Sequence, residues 1–386
     1  MTIHEHLDPN SGAAGSTLKL GDAYRKQGHQ VYYYSFDDFG VNIPPGFKDL
    51  LFPEFVAFHL LRQLEKLRID VIDMSTGDGW LWGSFKHLQR SSQPLLVTRS
   101  HGLEHLETKE ILEDVRRGNR QLSWKYRLYR GGPHLWEVAT SFRTADAAFL
   151  LNRQEAEYVT LHFGLPPEQI HIVANGLPDD FLGLPFAPTP LEASSIIRIA
   201  QVGTYIPRKG IQYSTPALNR ILCQYPQVHV SFLGTSCREC LSSEMVYADF
   251  DPEVCDRITV IPRYDHESLP ELLAGHHIKL FPTISEAFGK ALIEGMACGL
   301  APITTSAAGP MEIVRDGYDA LVVPTRESNA LGVALEKLII DRPLLHQLRQ
   351  NAYTTAQGYS WKKIAAARLA TYEQALNTKR HQTVPK

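Results

Sequence analysis

The sequence has no long apolar run. No stretch approaches the roughly 18 uninterrupted apolar residues that a membrane-spanning helix needs. The N-terminal residues MTIHEHLDPN also lack the apolar core of a secretory signal peptide. These two absences predict a cytoplasmic protein, with peripheral contact on the inner membrane face as an alternative.

Cysteine is scarce, with five residues in a chain of 386. A chain of this length can bury a core without disulfides, so we expect free thiols. Cys237 and Cys240 form a C-x-x-C, but no second pair follows at the spacing of a zinc site. We therefore expect no metal and no other cofactor.

Neither charge sign dominates the sequence. There are 39 Lys and Arg residues against 42 Asp and Glu residues, which gives a formal net charge of −3. A near-neutral total gives no global reason to expect binding to nucleic acid. Any such affinity has to be local.

Short apolar or β-branched runs alternate with segments of helical periodicity, which predicts an α/β fold. Most of these runs are apolar throughout, as in parallel strands that helices cover on both faces, so each half of the chain predicts a doubly wound, Rossmann-like sheet. We expect the two sheets to face each other across a cleft. The predicted strands are residues 30–34, 71–74, 95–98, 147–151 and 170–174 in the first half, and 196–202, 228–233, 258–261, 278–281, 302–304 and 321–323 in the second.

A proline-rich segment separates the two halves and predicts a domain boundary. The predicted organisation is an N-terminal Rossmann-like domain over residues 1–182, completed by a C-terminal helix at 360–376. A linker at 183–194 and a second Rossmann-like domain at 195–359 follow the first domain, and residues 377–386 form a polar tail.

The stretch from Phe281 to Gly299 contains the strongest chemical signal. It predicts a strand ending at Phe281, a loop that contains Glu286, and a helix from about residue 289 to 298. The amides of residues 287–290 would then form the anion-binding N-terminus of that helix. Glu294 lies in an apolar helix and needs partners. The alternatives are that Glu286 caps the helix and that Glu294 pairs with a neighbouring cation.

A second segment follows the first strand of the second half. Gly203 permits a tight turn or close approach of a ligand, and Arg208 and Lys209 precede the next helical segment. These cations are suited to neutralising a departing diphosphate. A solvated basic turn is the alternative.

Together these segments resemble the retaining, nucleotide-sugar-dependent glycosyltransferases of family 4, which have the two-domain GT-B fold. The resemblance is strongest over residues 202–210 and 282–324 and includes Gly309 to Gly317. In the first half it rests on Gly12-Ala-Ala-Gly15, Gly28-His29, His101-Gly102 and Asn175-Gly176.

The resemblance implies a hexose transfer from a nucleotide diphosphate sugar to a glycan, lipid-linked or small-molecule acceptor, with no metal required. It also implies that the domain at 1–182 is the acceptor side and that the domain at 195–359 binds the nucleotide sugar. His101, Lys209 and Glu286 would be catalytic, with capping of the next helix as the alternative for His101. Thr204 stands where many relatives place arginine, and Arg208 is the candidate substitute. The implied donor-binding residues are Gly15, Arg208, Lys209, Arg263, Tyr264, Glu286, Ala287, Phe288, Gly289, Lys290 and Glu294.

Other functions are compatible with the same motifs. A sugar-nucleotide epimerase or a phosphorylase uses the same two-domain architecture, and a non-catalytic protein that binds nucleotide sugars is the third alternative. The segment 116–130 also interleaves cations with aromatic residues. This basic patch is a candidate for contact with anionic lipid or an acidic glycan, and a solvated helix face is its alternative.

Overall fold

In a computed structural model of the chain, residues 1–9, 11–39, 43–86, 94–118, 121–186, 192 and 195–383 are described. The chain divides into two compact units. Unit 1 contains Met1–Gly176 and Trp361–Lys386, and unit 2 contains Leu177–Ser360.

Unit 1 is built on parallel strands. The strands are β1 Thr2–Ile3, β2 Tyr34–Ser35, β3 Val71–Ser75, β4 Leu95–Arg99, β5 Ala147–Leu150 and β6 Ile170–Ile172. One sheet has the order β3-β4-β5-β6, and β1 pairs with β2 in a separate two-stranded sheet. The helices are α1 Gly12–Lys26, α2 Pro45–Leu64, α3 Trp80–Phe85, α4 Glu104–Arg116, α5 Trp124–Leu128, α6 Pro133–Thr144, α7 Arg153–Tyr158 and α15 Trp361–Thr383.

Two predictions for unit 1 are wrong. The run at residues 30–34 contributes only its last residue to a strand, because Tyr33 packs its ring against Gly21 of α1 and donates to the Leu18 carbonyl. The C-terminal helix, predicted to end at residue 376, continues as far as Thr383 in α15, while residues 384–386 lie outside the described residues. The buried side chains of Trp361 and Tyr372 join α15 to the core of unit 1.

Unit 2 contains a six-stranded parallel sheet. Its strands are β7 Ile197–Val202, β8 Val228–Leu233, β9 Ile258–Ile261, β10 Ile278–Phe281, β11 Ala301–Thr305 and β12 Leu321–Val323. They lie in the order β12-β11-β10-β7-β8-β9, which reverses between β7 and β10 and makes this pair the topological switch point of a doubly wound sheet. The helices are α8 Ile211–Gln224, α9 Ser243–Tyr247, α10 Leu269–Leu273, α11 Lys290–Ala297, α12 Ala308–Met311, α13 Ser328–Ile340 and α14 Arg342–Ala356.

Part of the predicted linker packs on unit 2. Phe186 stacks on Tyr353 of α14 with 4.9 Å between ring centroids, and the Gly183 amide donates to the Gln357 side chain. Residues 183–186 of the predicted linker therefore contact α14 and the residue directly after it. Residues 187–191 and 193–194 of the predicted linker lie outside the described residues.

Candidate active site

The candidate site of unit 2 lies at the carboxyl ends of β7 and β10, where open α/β sheets bind their ligands. The loop after β7 contains Arg208 and Lys209, and the loop after β10 contains Glu286. Residues from the two strongest sequence motifs therefore meet at the switch point of one sheet.

Backbone contacts hold these two loops together. The Ile284 amide donates to the Arg208 carbonyl at 3.0 Å, and the Arg208 guanidinium donates to the Ser285 carbonyl at 3.4 Å. Gly210 has a φ of +76°, and a Cβ there would lie 1.9 Å from the Pro282 carbonyl oxygen. Only glycine fits this approach, which fixes where Lys209 lies.

Lys209 donates from Nζ to Glu286 Oε2 at 2.6 Å. Their side chains are 19% and 18% exposed, so the pair is screened from water but open to a ligand. Burial alone would raise the pKa of Glu286, but the charges of Lys209 and Arg208 outweigh it and hold the pKa below its ordinary value. Glu286 is therefore an ionised hydrogen-bond acceptor beside two cations.

Helix α11 begins at Lys290, and Gly289 is its N-cap with a φ of +107°. The Leu292 and Ile293 amides donate to the Gly289 carbonyl, so the amides of Lys290 and Ala291 precede the first helical hydrogen bond. Gly289 has no side chain that could cap the helix, and capping by Glu286 stays the alternative for that residue. The helix start, the Lys290 charge and the dipole together favour an anion here.

Glu294 is the second carboxylate of the site and is 4% exposed. His266 donates from Nε2 to Glu294 Oε1 at 2.9 Å, so this buried carboxylate has a hydrogen-bonding partner inside the protein. Pairing with a neighbouring cation stays the alternative for Glu294. Burial alone would raise the pKa of Glu294, but this hydrogen bond and the His266 charge lower it instead. The sequence motifs did not identify His266, whose position depends on how β9 and α11 meet in space.

Two of the predicted donor-binding residues, Arg263 and Tyr264, follow β9. Tyr264 packs its ring 3.0 Å from where a Gly234 Cβ would lie, and burial and the Glu294 charge raise the pKa of its hydroxyl. Arg263 is exposed and donates to the Ser236 hydroxyl at 3.3 Å. Tyr264 therefore lies within the electrostatic reach of Glu294, whereas Arg263 lies at the surface.

Gly309 supports the Glu286 loop from the segment before β12. Its amide donates to the Glu286 carbonyl at 2.9 Å, and a Cβ there would lie 2.5 Å from the Phe288 amide nitrogen. Real Cβ atoms do not approach backbone this closely. The glycine turn therefore positions the residues that follow β10.

His101 lies in unit 1, after β4. Arg99 donates from Nε to His101 Nε2 at 3.2 Å, which requires that nitrogen to be unprotonated. Arg99 is buried and pairs with Asp73 at 2.5 Å, and Tyr372 donates to the other Asp73 oxygen at 2.6 Å. Helix α4 begins at Glu104 after its N-cap residue Leu103, whose side chain does not cap it. Capping of this helix by His101 stays the alternative.

Gly15 lies inside α1, where its amide donates to the Ser11 carbonyl. A Cβ at this position would lie 2.3 Å from the Pro9 carbonyl oxygen, so the glycine lets the preceding loop approach the helix. Its assignment to donor binding stays a prediction.

The basic patch at 116–130 lies on α4, α5 and the segments beside them. Trp124 and Leu128 of α5 are 68% and 63% exposed. Arg117 pairs with Glu113 at 2.8 Å, and Arg130 lies 3.7 Å from Asp49. Residues 119–120, including the predicted Arg120, lie outside the described residues.

All five cysteines are free thiols. Within the described ranges, no group of three or more His, Cys, Asp or Glu side chains is arranged to hold a metal ion. In the same part of the chain, no helix is both long and apolar enough to cross a membrane.

Two family models match the chain. Glycosyltransferase Family 4 matches residues 10–181, and Glycosyl transferases group 1 matches residues 192–355. The chain belongs to these glycosyltransferases. The family resemblance drawn from the motifs is thereby confirmed.

Curated relatives include two enzymes of known name. The chain is 26% identical to the phosphatidylinositol N-acetylglucosaminyltransferase gpi3 subunit of Schizosaccharomyces pombe, over 56% of this chain and 46% of that protein. It is 27% identical to the D-inositol 3-phosphate glycosyltransferase of Mycobacteroides abscessus, over 60% of this chain and 52% of that protein. The chain spans about half the length of these curated relatives.

Solved structures share the architecture over nearly the whole chain. Sucrose-phosphate synthase from Thermosynechococcus elongatus gives a TM-score of 0.75 at 20% identity, with 98% of each chain covered. HepE from Anabaena, solved with UDP-glucose, gives a TM-score of 0.66 at 17% identity, with 96% of this chain and 98% of that chain covered. At these identities the likeness is one of fold, and the predicted GT-B fold is confirmed.

Proposed function

We propose that the chain is a retaining, metal-independent hexosyltransferase that uses a nucleotide diphosphate sugar. The observation that carries this proposal is the Lys209–Glu286 pair at the switch point of the unit 2 sheet, beside the start of α11. A cation, a carboxylate and helix amides in one place suit a ligand that has both phosphates and sugar hydroxyls.

Each group has a separate role in the proposed donor complex. Lys209 and Arg208 neutralise the diphosphate, together with the first amides of α11 and Lys290. Glu286 accepts hydrogen bonds from the sugar, and Glu294 accepts them from the ribose. Tyr264 and Arg263 contact the base.

The proposed reaction breaks the bond between the anomeric carbon and the diphosphate oxygen. The acceptor oxygen bonds to the same face of the sugar, and its proton passes to the departing diphosphate. Charge accumulates on the diphosphate in this step, so the cations and amides stabilise the transition state. We also propose a catalytic role for His101, which is supported by the fixed, unprotonated Nε2 that Arg99 imposes on its ring.

Product analysis tests this function against the alternatives. Purified protein is incubated with UDP-, GDP- or ADP-hexoses, with and without acceptor, in the presence of a metal chelator. The names of both relatives contain an inositol compound, so inositol phosphate and phosphatidylinositol head the acceptor panel. We expect acceptor-dependent release of nucleoside diphosphate and a product with the donor's anomeric configuration.

Other products would contradict the proposal. An acceptor-independent change of the sugar indicates an epimerase, and consumption of inorganic phosphate indicates a phosphorylase. Binding of a donor without turnover across the panel indicates a binding protein. Inversion at the anomeric carbon excludes the same-face reaction.

We further propose that the basic patch contacts anionic lipid. Exposed Trp124 and Leu128 are suited to the interface of a bilayer, and the surrounding arginines are suited to its headgroups. Co-sedimentation with phosphatidylcholine vesicles, with and without phosphatidylserine, tests this contact. We expect binding only with phosphatidylserine and its loss in W124A/L128A, whereas L161A, at another exposed leucine of unit 1, retains it. Equal sedimentation of all three proteins favours the solvated-face alternative.

A further inference from the structure

Lys279 is a buried cation with no role in the site described above. It lies in β10 between Ile278 and Leu280, which face the main core of unit 2. Alternate residues of a strand point to opposite faces, so Lys279 faces the side covered by α11. Its side chain is 0% exposed, and Nζ has no hydrogen-bond partner among the described residues.

Helix α11 leaves room for this side chain. A Cβ on Gly295 would lie 2.9 Å from both Cγ and Cδ of Lys279. A glycine inside a helix destabilises it by roughly 1 kcal/mol relative to alanine. Gly295 therefore makes α11 less stable than alanine would, and it leaves the space that the buried Lys279 side chain fills.

The buried ammonium lies close to the proposed donor site. Lys209 and Lys279 place their Nζ atoms 5.7 Å and 6.0 Å from the centre of the Phe281 ring. The charges acting on Lys279 come from Glu294 of α11, from Cys298 directly after that helix and from Lys209 after β7. Lys279 in turn acts on His276 before β10.

Among the charged and titratable groups just named, Lys279 is the one whose pKa we expect to lie near neutrality. Burial lowers the pKa of Lys279 to about 7, although Glu294 acts to raise it. Burial raises the pKa of Cys298 to about 12, so this thiol stays neutral, and burial lowers the pKa of His276. Glu294 has a lowered pKa and stays charged.

We propose that Lys279 is a positioning residue for donor binding, which acts through Glu294 and through the positive field at the diphosphate. Its ammonium stabilises the ionised, hydroxyl-accepting Glu294 from the buried side of α11. It also adds a positive charge on the buried side of the loops that hold the diphosphate. This inference rests on the proposed function.

The proposal predicts that donor binding and protonation are linked. An anionic donor favours the charged form of Lys279, so binding above neutral pH takes up a proton. Donor affinity should fall between about pH 6.5 and about pH 8.5, since the ammonium is lost over that interval. A nucleotide sugar keeps the same diphosphate charge at both pH values, so the ligand itself does not contribute.

Titration calorimetry with UDP-glucose, and with GDP- and ADP-glucose as further probes, tests this link. Wild type, K279M and R342M are compared at both pH values, in two buffers with different ionisation heats. Arg342 is a buried cation at the start of α14 that donates to the Ser195 carbonyl, so R342M is the matched control. We expect K279M to bind about tenfold more weakly at the lower pH, the size of one charged interaction, with no proton uptake.

A second variant guards against misfolding of K279M. G295A retains the lysine but displaces its stem, and it should weaken binding in the same direction. H266N should keep the pH dependence of wild type, because His266 contacts Glu294 but is not the group proposed to titrate.

The outcomes separate the two proposals. If wild type binds none of the three donors, the proposed function fails and this inference falls with it. If wild type binds a donor with equal affinity at both pH values, or K279M binds it as wild type does, only the role of Lys279 is overturned. Loss of the pH dependence in H266N would assign the titration to His266 and would also overturn that role.

Discussion

The Nζ atom of Lys209 lies 2.6 Å from Oε2 of Glu286, although the two residues are 77 positions apart in the chain. Glycine at position 210 and the hydrogen bonds between the two loops bring them together. Each charge compensates the other. In the proposed donor complex, the diphosphate would pair with Lys209 and the sugar hydroxyls would donate to Glu286.

Replacing Lys209 with alanine should lower transfer by about 100-fold, the effect of removing one group that stabilises transition-state charge. Folding should be nearly unchanged because Lys209 lies in the loop after β7, outside the hydrophobic core of unit 2, and Arg208 remains beside Glu286. The initial rate of nucleoside diphosphate release measures the first effect, and circular dichroism measures the second. K337A, at an exposed lysine of α13, is the control. A K209A protein with wild-type donor kinetics would remove Lys209 from the mechanism.

The E294Q substitution should weaken nucleotide affinity by about tenfold, since hydrogen bonds to a charged carboxylate are stronger than those to an amide. The maximal rate at saturating donor should change much less. Calorimetry with UDP and steady-state kinetics separate the two effects. E271Q, at an exposed carboxylate of α10, should bind UDP as wild type does. Equal affinity of E294Q and wild type contradicts the ribose role.

The architecture of unit 2 could be predicted from the sequence because its strands are uninterrupted apolar runs. The bounds predicted for β8, β9, β10 and β12 agree with the structure. Strand β1 of unit 1 has only two residues, too few to form a recognisable run. The pattern therefore failed where a strand is short or where aromatic residues pack on a helix.

The site could be predicted only where its residues share a motif. Glu286 and Glu294 lie in one segment, and their surroundings marked them. His266 reaches Glu294 because the segment after β9 returns to α11, a contact that depends on the order of strands in the sheet. Lys279 was missed because the other residues of the strand at 278–281 are apolar and predict an ordinary buried strand.

The G309A substitution should lower activity by displacing the Glu286 loop. The new Cβ would lie 2.5 Å from the Phe288 amide nitrogen and 2.6 Å from the Glu286 carbonyl oxygen, and backbone cannot yield as a side chain can. G332A is the matched control, because its Cβ would meet the mobile end of the Arg220 side chain. Thermal unfolding and transfer rates of both variants test this. Wild-type activity of G309A would show that the loop does not need this support.

The stability of the protein should rise with pH above neutrality because of Lys279. Its pKa is about 7 in the folded protein, against an ordinary value of 10.5 for lysine. Between these values the unfolded chain binds the proton and the folded protein does not, so the free energy of unfolding increases with pH. The full difference is on the order of 5 kcal/mol, at about 1.4 kcal/mol for each pKa unit.

K279M isolates this contribution from those of other groups, such as His277, whose pKa burial lowers to about 4. The variant should be more stable than wild type at about pH 6.5, and the advantage should shrink as the pH rises through about 8.5. Urea unfolding of both proteins across this range measures the difference, with R342M as the control for loss of a buried cation. A difference in free energy of unfolding that is the same at all pH values would contradict this prediction. It would mean that Lys279 keeps its charge after folding and that deprotonation of its ammonium does not stabilise the folded protein.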